Sequence, residues 1–434
     1  RLVASLVLIS IFFAVSDSLY LYNSGCRSTA RVLSKDILFR AVHRPLRSRF
    51  RRSTCVRMSA MTEGAPGSLQ ALCEVTKKAC DILTPMIMQF YQAINGETSK
   101  LKEDKSVFTI ADGTVQHLLI EHLFAGDVFK GIVGEEECEV DLVNRPFKVD
   151  GLTIPEEFCD MIEKVRDDIK ALRTNSLVPS PLYRGLTIFI DPIDGTREFS
   201  TNKGEQCSVC VGFADEAGLP VAGLVYRPIT VPPTWAAGAK SEKYTASELN
   251  MAANEATSGS GLLTSNGGIS SWIESLMTEL DYVRVPSGGA GNKMLMLLEG
   301  KGGAYIQDRG VSRWDTAGAQ ACIEAHGGLL SKLSTFVDDK SVGSLQSYTY
   351  LESKVNLDFE PGVSNITPYN AISKDLAPRK GEKAILATRV EDMKAYSNLN
   401  GLLAIGAALN TPENLAKISD ACMKAKAANP PSFD

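Results

Sequence analysis

Histidine is scarce in this chain, with four residues in 434, so a zinc centre built on imidazoles has few donors to draw on. The ten cysteines do not make up the deficit. They are scattered at positions 26, 55, 73, 80, 138, 159, 207, 210, 322 and 422, which is not the pattern of a disulfide framework. Only Cys207 and Cys210 stand in C-x-x-C spacing, and no second pair completes a site. They fall in the strand-like run Cys207-Ser208-Val209-Cys210-Val211-Gly212-Phe213, where a spacing of three places them on opposite faces. Buried structural thiols are therefore expected ahead of a redox switch. The apolar stretch Leu6 to Val15 is too short to span a bilayer as a stable helix. Nor is there an internal repeat. Finally, the body of the chain lacks basic charge. Beyond residue 60 there are 35 basic against 49 acidic residues, a formal charge of −14. That argues against nucleic acid as the main partner and suits a protein that gathers divalent cations.

The first 60 residues are the opposite, with 11 of the 46 Lys+Arg and 2 of the 51 Asp+Glu. Leu6–Val15 has the length of a signal h-region. Arg27, Arg31, Lys35, Arg40, Arg44, Arg47, Arg49, Arg51, Arg52 and Arg57 follow, with Asp36 the only acid among them. A signal-like segment followed by an Arg- and Ser-bearing one has the composition of a bipartite leader into a plastid of secondary origin. A mitochondrial or secretory address, a membrane anchor and a basic disordered arm are the other readings. Residues 1–62 are expected to be a targeting leader, removed or disordered.

Order is expected to begin near Gly67. From Leu69 to Ile94 apolar residues recur at three and four, which predicts a long amphipathic helix kinked at Pro85. A second helical pattern follows Thr109. Residues 139–184 read as a polar excursion carrying one helix near Phe158–Leu172. Leu186–Ile190 is a buried strand that stops at Asp191-Pro192, and Cys207–Phe213 and Val221–Tyr226 are further strands. A lobe boundary near residue 240 divides an N-terminal α+β lobe, 63–240, from a C-terminal α/β lobe, 241–434. In the second lobe strands and helices alternate over Gly261–Thr264, Ile269–Leu280, Tyr282–Val285, Lys293–Leu298, Ala304–Gln307 and Thr316–Ala325. Residues 335–380 read as loop-rich, with a returning strand at Ala384–Thr388.

Acidic residues stand at the ends of these strands. Glu135 and Glu136 follow one, Asp191 and Asp194 another, and Asp315 opens a helix after Trp314. Acids at strand C-termini face the crevice where α/β proteins bind ligands. Several carboxylates meeting there repel one another unless cations sit among them. Oxygen donors without a histidine or cysteine cluster favour magnesium over zinc. His117 and His122 lie near this region, but a helical spacing of five puts them on different faces, so core or surface roles are expected. In Asp191-Pro192-Ile193-Asp194-Gly195-Thr196 the proline fixes the backbone between two acids, and Gly195 allows a tight turn against which a phosphate can approach. The plain alternative is a strand–turn–helix with Asp as N-cap. Asp315 could likewise be a simple N-cap, though no Glu or Gln stands three residues later to complete a capping box.

Four segments in register resemble the lithium-sensitive phosphatase superfamily that includes inositol monophosphatases, bisphosphate nucleotidases and inositol polyphosphate 1-phosphatases. They are Thr109-Ile110-Ala111-Asp112, Gly134-Glu135-Glu136, Asp191 to Thr196, and Trp314-Asp315-Thr316-Ala317 leading to Gly327-Gly328. The resemblance covers about residues 67–330 and extends more weakly to about 390. It implies a layered αβαβα sandwich in two lobes and a magnesium-dependent, lithium-inhibited phosphomonoester hydrolase. By the same resemblance Glu135, Asp191 and the Ile193 carbonyl would hold one magnesium ion that activates water. Asp191, Asp194 and Asp315 would hold a second at the leaving oxygen. Asp112 matches an acid of a third, weaker site or of the base. Thr196, backed by Glu135, would orient and deprotonate the attacking water.

For the substrate, Gly288-Gly289-Ala290-Gly291-Asn292-Lys293 resembles the nucleotidase subgroup, where the glycines and lysine contact the nucleotide and its phosphate. Gly195, Thr196, Gly289, Gly291 and Lys293 are thus the implied substrate-binding residues. The nucleotidase pattern also has Ser-Arg-Ser-His near the adenosine, and this chain has Thr264-Ser265-Asn266-Gly267. A bisphosphate nucleotidase acting on phosphoadenosine phosphate is the first expectation and an inositol polyphosphate 1-phosphatase the second. A non-catalytic binding or assembly subunit is the third. The partner is a small phosphorylated molecule, and the protein a monomer or homodimer.

Overall fold

Leu72, Cys73, Val75, Ala79, Cys80, Leu83, Ile87 and Phe90 form the buried stripe of helix α1, Leu69–Asn95. In the computed structural model α1 is assigned as one helix through Pro85. The structure describes residues 63–95, 105–250, 258–308, 311–337, 345–352, 396–398 and 401–431. The chain divides into residues 1–61 and 62–434; the expected leader and the strand at Ala384–Thr388 lie outside the described residues. Among the described residues no helix is long and apolar enough to cross a membrane.

Helix α2, Lys105–Leu118, continues into a π-helical turn, Leu119–Leu123, closed by Phe124 N–H donating to Leu119 O at 2.9 Å. That turn corrects the reading of the two histidines. An i→i+5 turn brings residues five apart onto one side, and the rings of His117 and His122 meet edge to face at 5.5 Å. Strand β1, Gly131–Gly134, comes next. The excursion then folds as short strands β2, Val140–Asp141, β3, Lys148–Val149, and β4, Leu152–Thr153, with helix α3, Glu156–Ser176. Two-residue strands carry too little periodicity to be read from sequence. Helix α3 packs on α1, with Phe158 against Phe90.

Strand β5, Thr187–Asp194, helix α4, Thr196–Ser200, and strands β6, Ser208–Ala214, β7, Pro220–Arg227, β8, Thr234–Ala239, and β9, Tyr244–Glu248, continue the chain. They form a six-stranded sheet in the order β1-β5-β6-β7-β8-β9, parallel only between β1 and β5. The boundary expected near residue 240 therefore moves, because β9 is the outermost strand of this first sheet. Strand β8 escapes a periodic reading because Ala236, Ala237 and Gly238 are small, and small residues are what close packing beneath a helix demands.

A second sheet, in the order β11-β10-β12-β16-β14, is built from β10, Gly261–Thr264, β11, Val283–Pro286, β12, Ala304–Gln307, β14, Leu329–Lys332, and β16, Leu402–Ile405. Helix α5, Ser271–Leu280, lies between β10 and β11, and α6, Ala290–Leu298, between β11 and β12. A short strand β13, Val311–Ser312, leads into α7, Arg313–Ala325, and pairs with β15, Ser397–Asn398. A short α8, Ser334–Val337, and the C-terminal α9, Pro412–Ala428, complete the described elements.

The layers are set by which face each residue buries. Ile188, Ile190, Val209, Val211 and Phe213 turn toward α1, α2 and α3. Phe189, Cys210 and Val225 turn the other way, onto Met294, Leu295, Ala317 and Ile323 of α6 and α7 and onwards to Leu263, Tyr305 and Ala404 of the second sheet. The far face of that sheet packs on Trp272, Leu276, Ile418 and Cys422 of α5 and α9. The result is an αβαβα sandwich whose two lobes share the α6–α7 layer. Cys207 and Cys210 are both buried free thiols in different cores.

Candidate active site

A β-bulge brings the first two acids together. On β5 Asp191 pairs with Cys210 of β6 and Asp194 with Ser208, so three steps on one strand match two on the other. In a regular strand residues three apart face opposite ways; the extra residue turns Asp194 back to the side of Asp191. Pro192 occupies the bulge, where a missing N–H does not break the ladder. The strand thus runs on through Asp194 rather than stopping at Asp191-Pro192. Ile193 buries its side chain with Ile188 and Ile190, and its amide hydrogen-bonds the Asp112 carboxylate on α2.

Glu135 is held at the end of β1, its N–H donating to Ile190 O at 3.1 Å. The next residue is clamped by Gln116, whose Nε2 donates to Glu136 O at 2.7 Å while Oε1 accepts from Glu136 N at 2.9 Å. Gly134 is required here, because a Cβ would lie 2.3 Å from Gln116 Oε1. Asp112 and Gln116, one helical turn apart on α2, thus grip both strand ends.

Asp315 arrives from the opposite layer. It is the N3 residue of α7 in a capping box with Ser312, and its Oδ2 accepts from Ser312 N at 2.6 Å. The box that seemed incomplete from sequence is therefore present, with Ser312 as cap and Asp315 as the reciprocating acid. The helix also starts earlier than expected, at Arg313. Oxygens of Asp191, Asp194 and Asp315 lie within 4.8 Å of one another.

Such crowding has an electrostatic cost. Burial, then Glu135, Asp194 and Asp315, hold the Asp191 carboxyl far above its ordinary range. Asp112 is raised by burial, then by Glu136 and Glu135. Glu135 is pushed up to about 7 by burial and by Asp315, against a hydrogen bond with Asp191. Asp194 is raised by burial, while Lys293, the amides of Ala290 and Gly291 and the Ser208 hydroxyl work the other way. Oδ1 of Asp191 and Oδ1 of Asp112 are buried without a hydrogen-bond partner. Converging carboxylates with unused lone pairs, and no thiolate or imidazole in the cluster, fit a hard divalent cation such as magnesium.

Gly195, at φ +95°, turns the chain into α4, leaving Thr196 exposed on its first turn. Among the described residues no hydrogen bond joins the Thr196 hydroxyl to Glu135, so the expected backing of Thr196 by Glu135 is not a direct contact. The glycine-rich segment has a task within the fold itself. Ala290 N donates to Asp194 Oδ1 at 3.0 Å and Gly291 N to Asp194 Oδ2 at 2.7 Å, and Ser208 Oγ donates to the same Oδ2 at 3.0 Å. A Cβ on Gly291 would lie 2.5 Å from Cys210 Sγ, and one on Gly289 2.9 Å from Asp194 Oδ2. Lys293 is 3% exposed, donates to Gly289 O at 2.6 Å and lies over the Tyr305 ring at 4.8 Å. Gly291 and Lys293, which the resemblance implies as substrate contacts, are both buried and seat α6 on Asp194.

Sequence reading missed Gln116, Ser208, Gln206, Asn266 and Glu198. Asn266 Nδ2 donates to Glu198 Oε1 at 2.7 Å and to Gln206 Oε1 at 2.9 Å, tying the loop after β10 to α4. Gln116 had a signal, its i+4 spacing from Asp112; the cross-sheet partners had none.

The inositol monophosphatase family model matches residues 68–335. Among curated proteins, 3′(2′),5′-bisphosphate nucleotidase 1 of Rattus norvegicus is 27% identical over 271 residues, 57% of this chain and 82% of that protein. The Mus musculus protein of that name is 31% identical over 160 residues, 34% of this chain but only 50% of the relative. Inositol monophosphatase 3 of Xenopus laevis is 27% identical over 261 residues, covering 55% and 68%. Among solved structures, staphylococcal IMPase-II aligns over 82% of this chain and 98% of its own at 14% identity, with a TM-score of 0.42, too loose a likeness to carry any inference about the site.

Proposed function

This chain belongs to the inositol monophosphatase family, and from that premise we propose that its substrate is a 3′(2′),5′-bisphosphate nucleotide, phosphoadenosine phosphate. The reaction class is phosphomonoester hydrolysis, and magnesium dependence goes with the family. The observation that carries the reading is the meeting of Asp191, Asp194 and Asp315 within 4.8 Å, beside a Glu135 that titrates near 7. Nucleotidases among the relatives and the segment Gly288 to Lys293 support the nucleotide. One observation favours an inositol polyphosphate substrate instead: the segment Thr264 to Gly267 offers no histidine, and its Asn266 is already tied to Glu198 and Gln206.

Asp191, Asp194, Asp315 and Glu135, with the Ile193 carbonyl and Asp112, would hold two or three magnesium ions. Bound there, magnesium supplies a Lewis acid for the ester oxygens and lowers the pKa of a water. The chain's own contributions are positional and protonic. The Gly195 turn presents the Thr196 hydroxyl to the substrate phosphate and the attacking water. In the metal-free site Glu135, sharing a hydrogen bond with Asp191, holds a proton near neutral pH, and it would give that proton up on binding magnesium to become a carboxylate ligand. The capping box and the α6 amides fix Asp315 and Asp194 before substrate arrives, so little reorganisation is left for the reaction.

Phosphate release from phosphoadenosine phosphate and from an inositol bisphosphate, measured with magnesium and with or without lithium, tests the proposal. Lithium-sensitive turnover of the nucleotide supports it; turnover of the inositol ester alone replaces it with the second reading. For residues 1–62 the proposal is a plastid address, tested by fusion to a fluorescent protein. Mitochondrial or secretory delivery would support the alternatives, and a cytosolic fusion would remove all three.

A further inference from the structure

Between β7 and α6 lies a charged network that the hydrolytic reading does not use. Arg227, the last residue of β7, is 4% exposed, and Glu299, which caps the C-terminus of α6, is 1% exposed. Arg227 Nη1 donates to Glu299 Oε1 at 2.7 Å. The rest of the guanidinium fork grips Asn292, with Nε donating to Oδ1 at 2.7 Å and Nη2 to the backbone carbonyl at 2.9 Å. Asn292, itself 3% exposed, passes the restraint on. Its Nδ2 donates to Gly288 O at 2.8 Å and to Ser287 Oγ at 2.9 Å. Two residues beyond Gly288 begin the amides that hold both oxygens of Asp194.

A buried ion pair is a poor device for stability, because desolvation of the two charges roughly cancels their attraction and apolar replacements are often as stable. What an apolar pair cannot do is bind the side chain and the carbonyl of one residue at once, which the planar fork of arginine does. We propose that Arg227 is a positioning residue for metal binding, which acts through Asn292 to hold the first turn of α6 so that its amides fix the Asp194 carboxylate. The inference rests on the reading of Asp194 as a metal ligand. Partners that orient a ligand from behind commonly set metal affinity by a factor of about 10 to 100. Lys293 and Gly289 belong to the turn held in this way, so loosening it frees the carboxylate to rotate without removing any ligand.

The test is calorimetric titration of magnesium into the full chain, with melting followed in parallel, for Asp194→Asn, Arg227→Lys and the double change Arg227→Met with Glu299→Met. The double variant should melt with the native protein yet bind magnesium about tenfold or more weakly. Arg227→Lys keeps the charge facing Glu299 but loses the fork, and its magnesium affinity should fall in the same way. Native affinity in the double variant would make the pair purely structural and overturn the inference. Should the double variant fail to fold, native affinity in Arg227→Lys would overturn it equally. If Asp194→Asn itself binds magnesium as the native chain does, the fault lies in the ligand reading, and that result is distinct from failure of the Arg227 variants alone.

Discussion

A carboxyl group set among other carboxyls titrates as its neighbours dictate, and Glu135 carries that effect into the stability of the whole protein. Its folded pKa of about 7 stands above the ordinary 4.5. Between those two values the folded state therefore holds more protons than the unfolded chain. By linkage, stability of the metal-free protein falls as pH rises through that window, and the raised Asp191 and Asp194 act in the same direction. Burial holds His122 down to about 4 and lowers His117 and His326, which acts the other way, so the share of the cluster is read against Glu135→Gln. In thermal melts of chelated protein the native midpoint should fall relative to that of the variant from about pH 5 to about pH 7.5. Added magnesium should raise the midpoint more at the higher pH and release protons on binding. A native midpoint that rises relative to that of Glu135→Gln across this range would contradict the geometry of the cluster.

Replacement of Asp191 extends the argument. Burial and three like charges act on this side chain, so Asp191→Asn should stabilise the metal-free fold near neutral pH by roughly 1–2 kcal/mol. Phosphate release should fall by at least about 100-fold. Urea denaturation and a turnover assay check the two halves, and a variant that is both active and less stable would refute the placement. These acids were legible from sequence because apolar runs give way to acids at Glu135 and Asp191. Ser208 was not legible, since nothing local marks a serine 14 residues away as the donor that Asp194 will meet across the bulge.

At the scale of elements, the site exists because α7 lies directly on the first sheet. Gly212 and Gly223 of β6 and β7 face Gly318 of α7, and a Cβ on Gly318 would sit 2.5 Å from Val211 O. Both sides of that contact are backbone, so nothing flexible can give way. Gly318→Ala should lift α7 from the sheet and carry Asp315 with it. A loss of about 1–3 kcal/mol in urea denaturation is expected, the usual cost of overpacking, together with weaker magnesium binding. Stability within about 0.5 kcal/mol of native would show that the helix has room to spare. Helix α1 could be read in advance because its apolar residues repeat at three and four, and α6 and α7 because they alternate with strands. The same reading passed over β8, whose alanines and glycine carry no strong alternation, and over β9, whose alternation spans five residues, and it misplaced the histidine pair because a π turn breaks the period of 3.6.

At the scale of the whole molecule, residues far along the chain complete the fold and the site. Strand β16 runs antiparallel between β12 and β14, pairing Ala404 with Tyr305 on one side and with Leu330 on the other. Its Leu403 and Ile405 join the core beneath α9, while Leu402 and Ala404 face the α6–α7 layer. Buried β15 pairs with the residues that lead into α7, and Asn398 Nδ2 donates to Thr316 Oγ1 at 2.7 Å, one residue from Asp315. The family match ends at residue 335, and a four-residue strand beyond a loop-rich stretch gave no cue that it would be central. A chain truncated after Val337 would lose this strand, its covering helix and the clasp on α7. Both neighbours would be left with unpaired edges and exposed apolar faces. Such a truncation should be recovered as an aggregated or dye-binding protein without cooperative unfolding, and without phosphatase activity. A soluble, cooperatively melting fragment that still hydrolyses its substrate would mean that the first sheet and α7 hold the metal ligands unaided, and that the second sheet tolerates the loss of its middle strand.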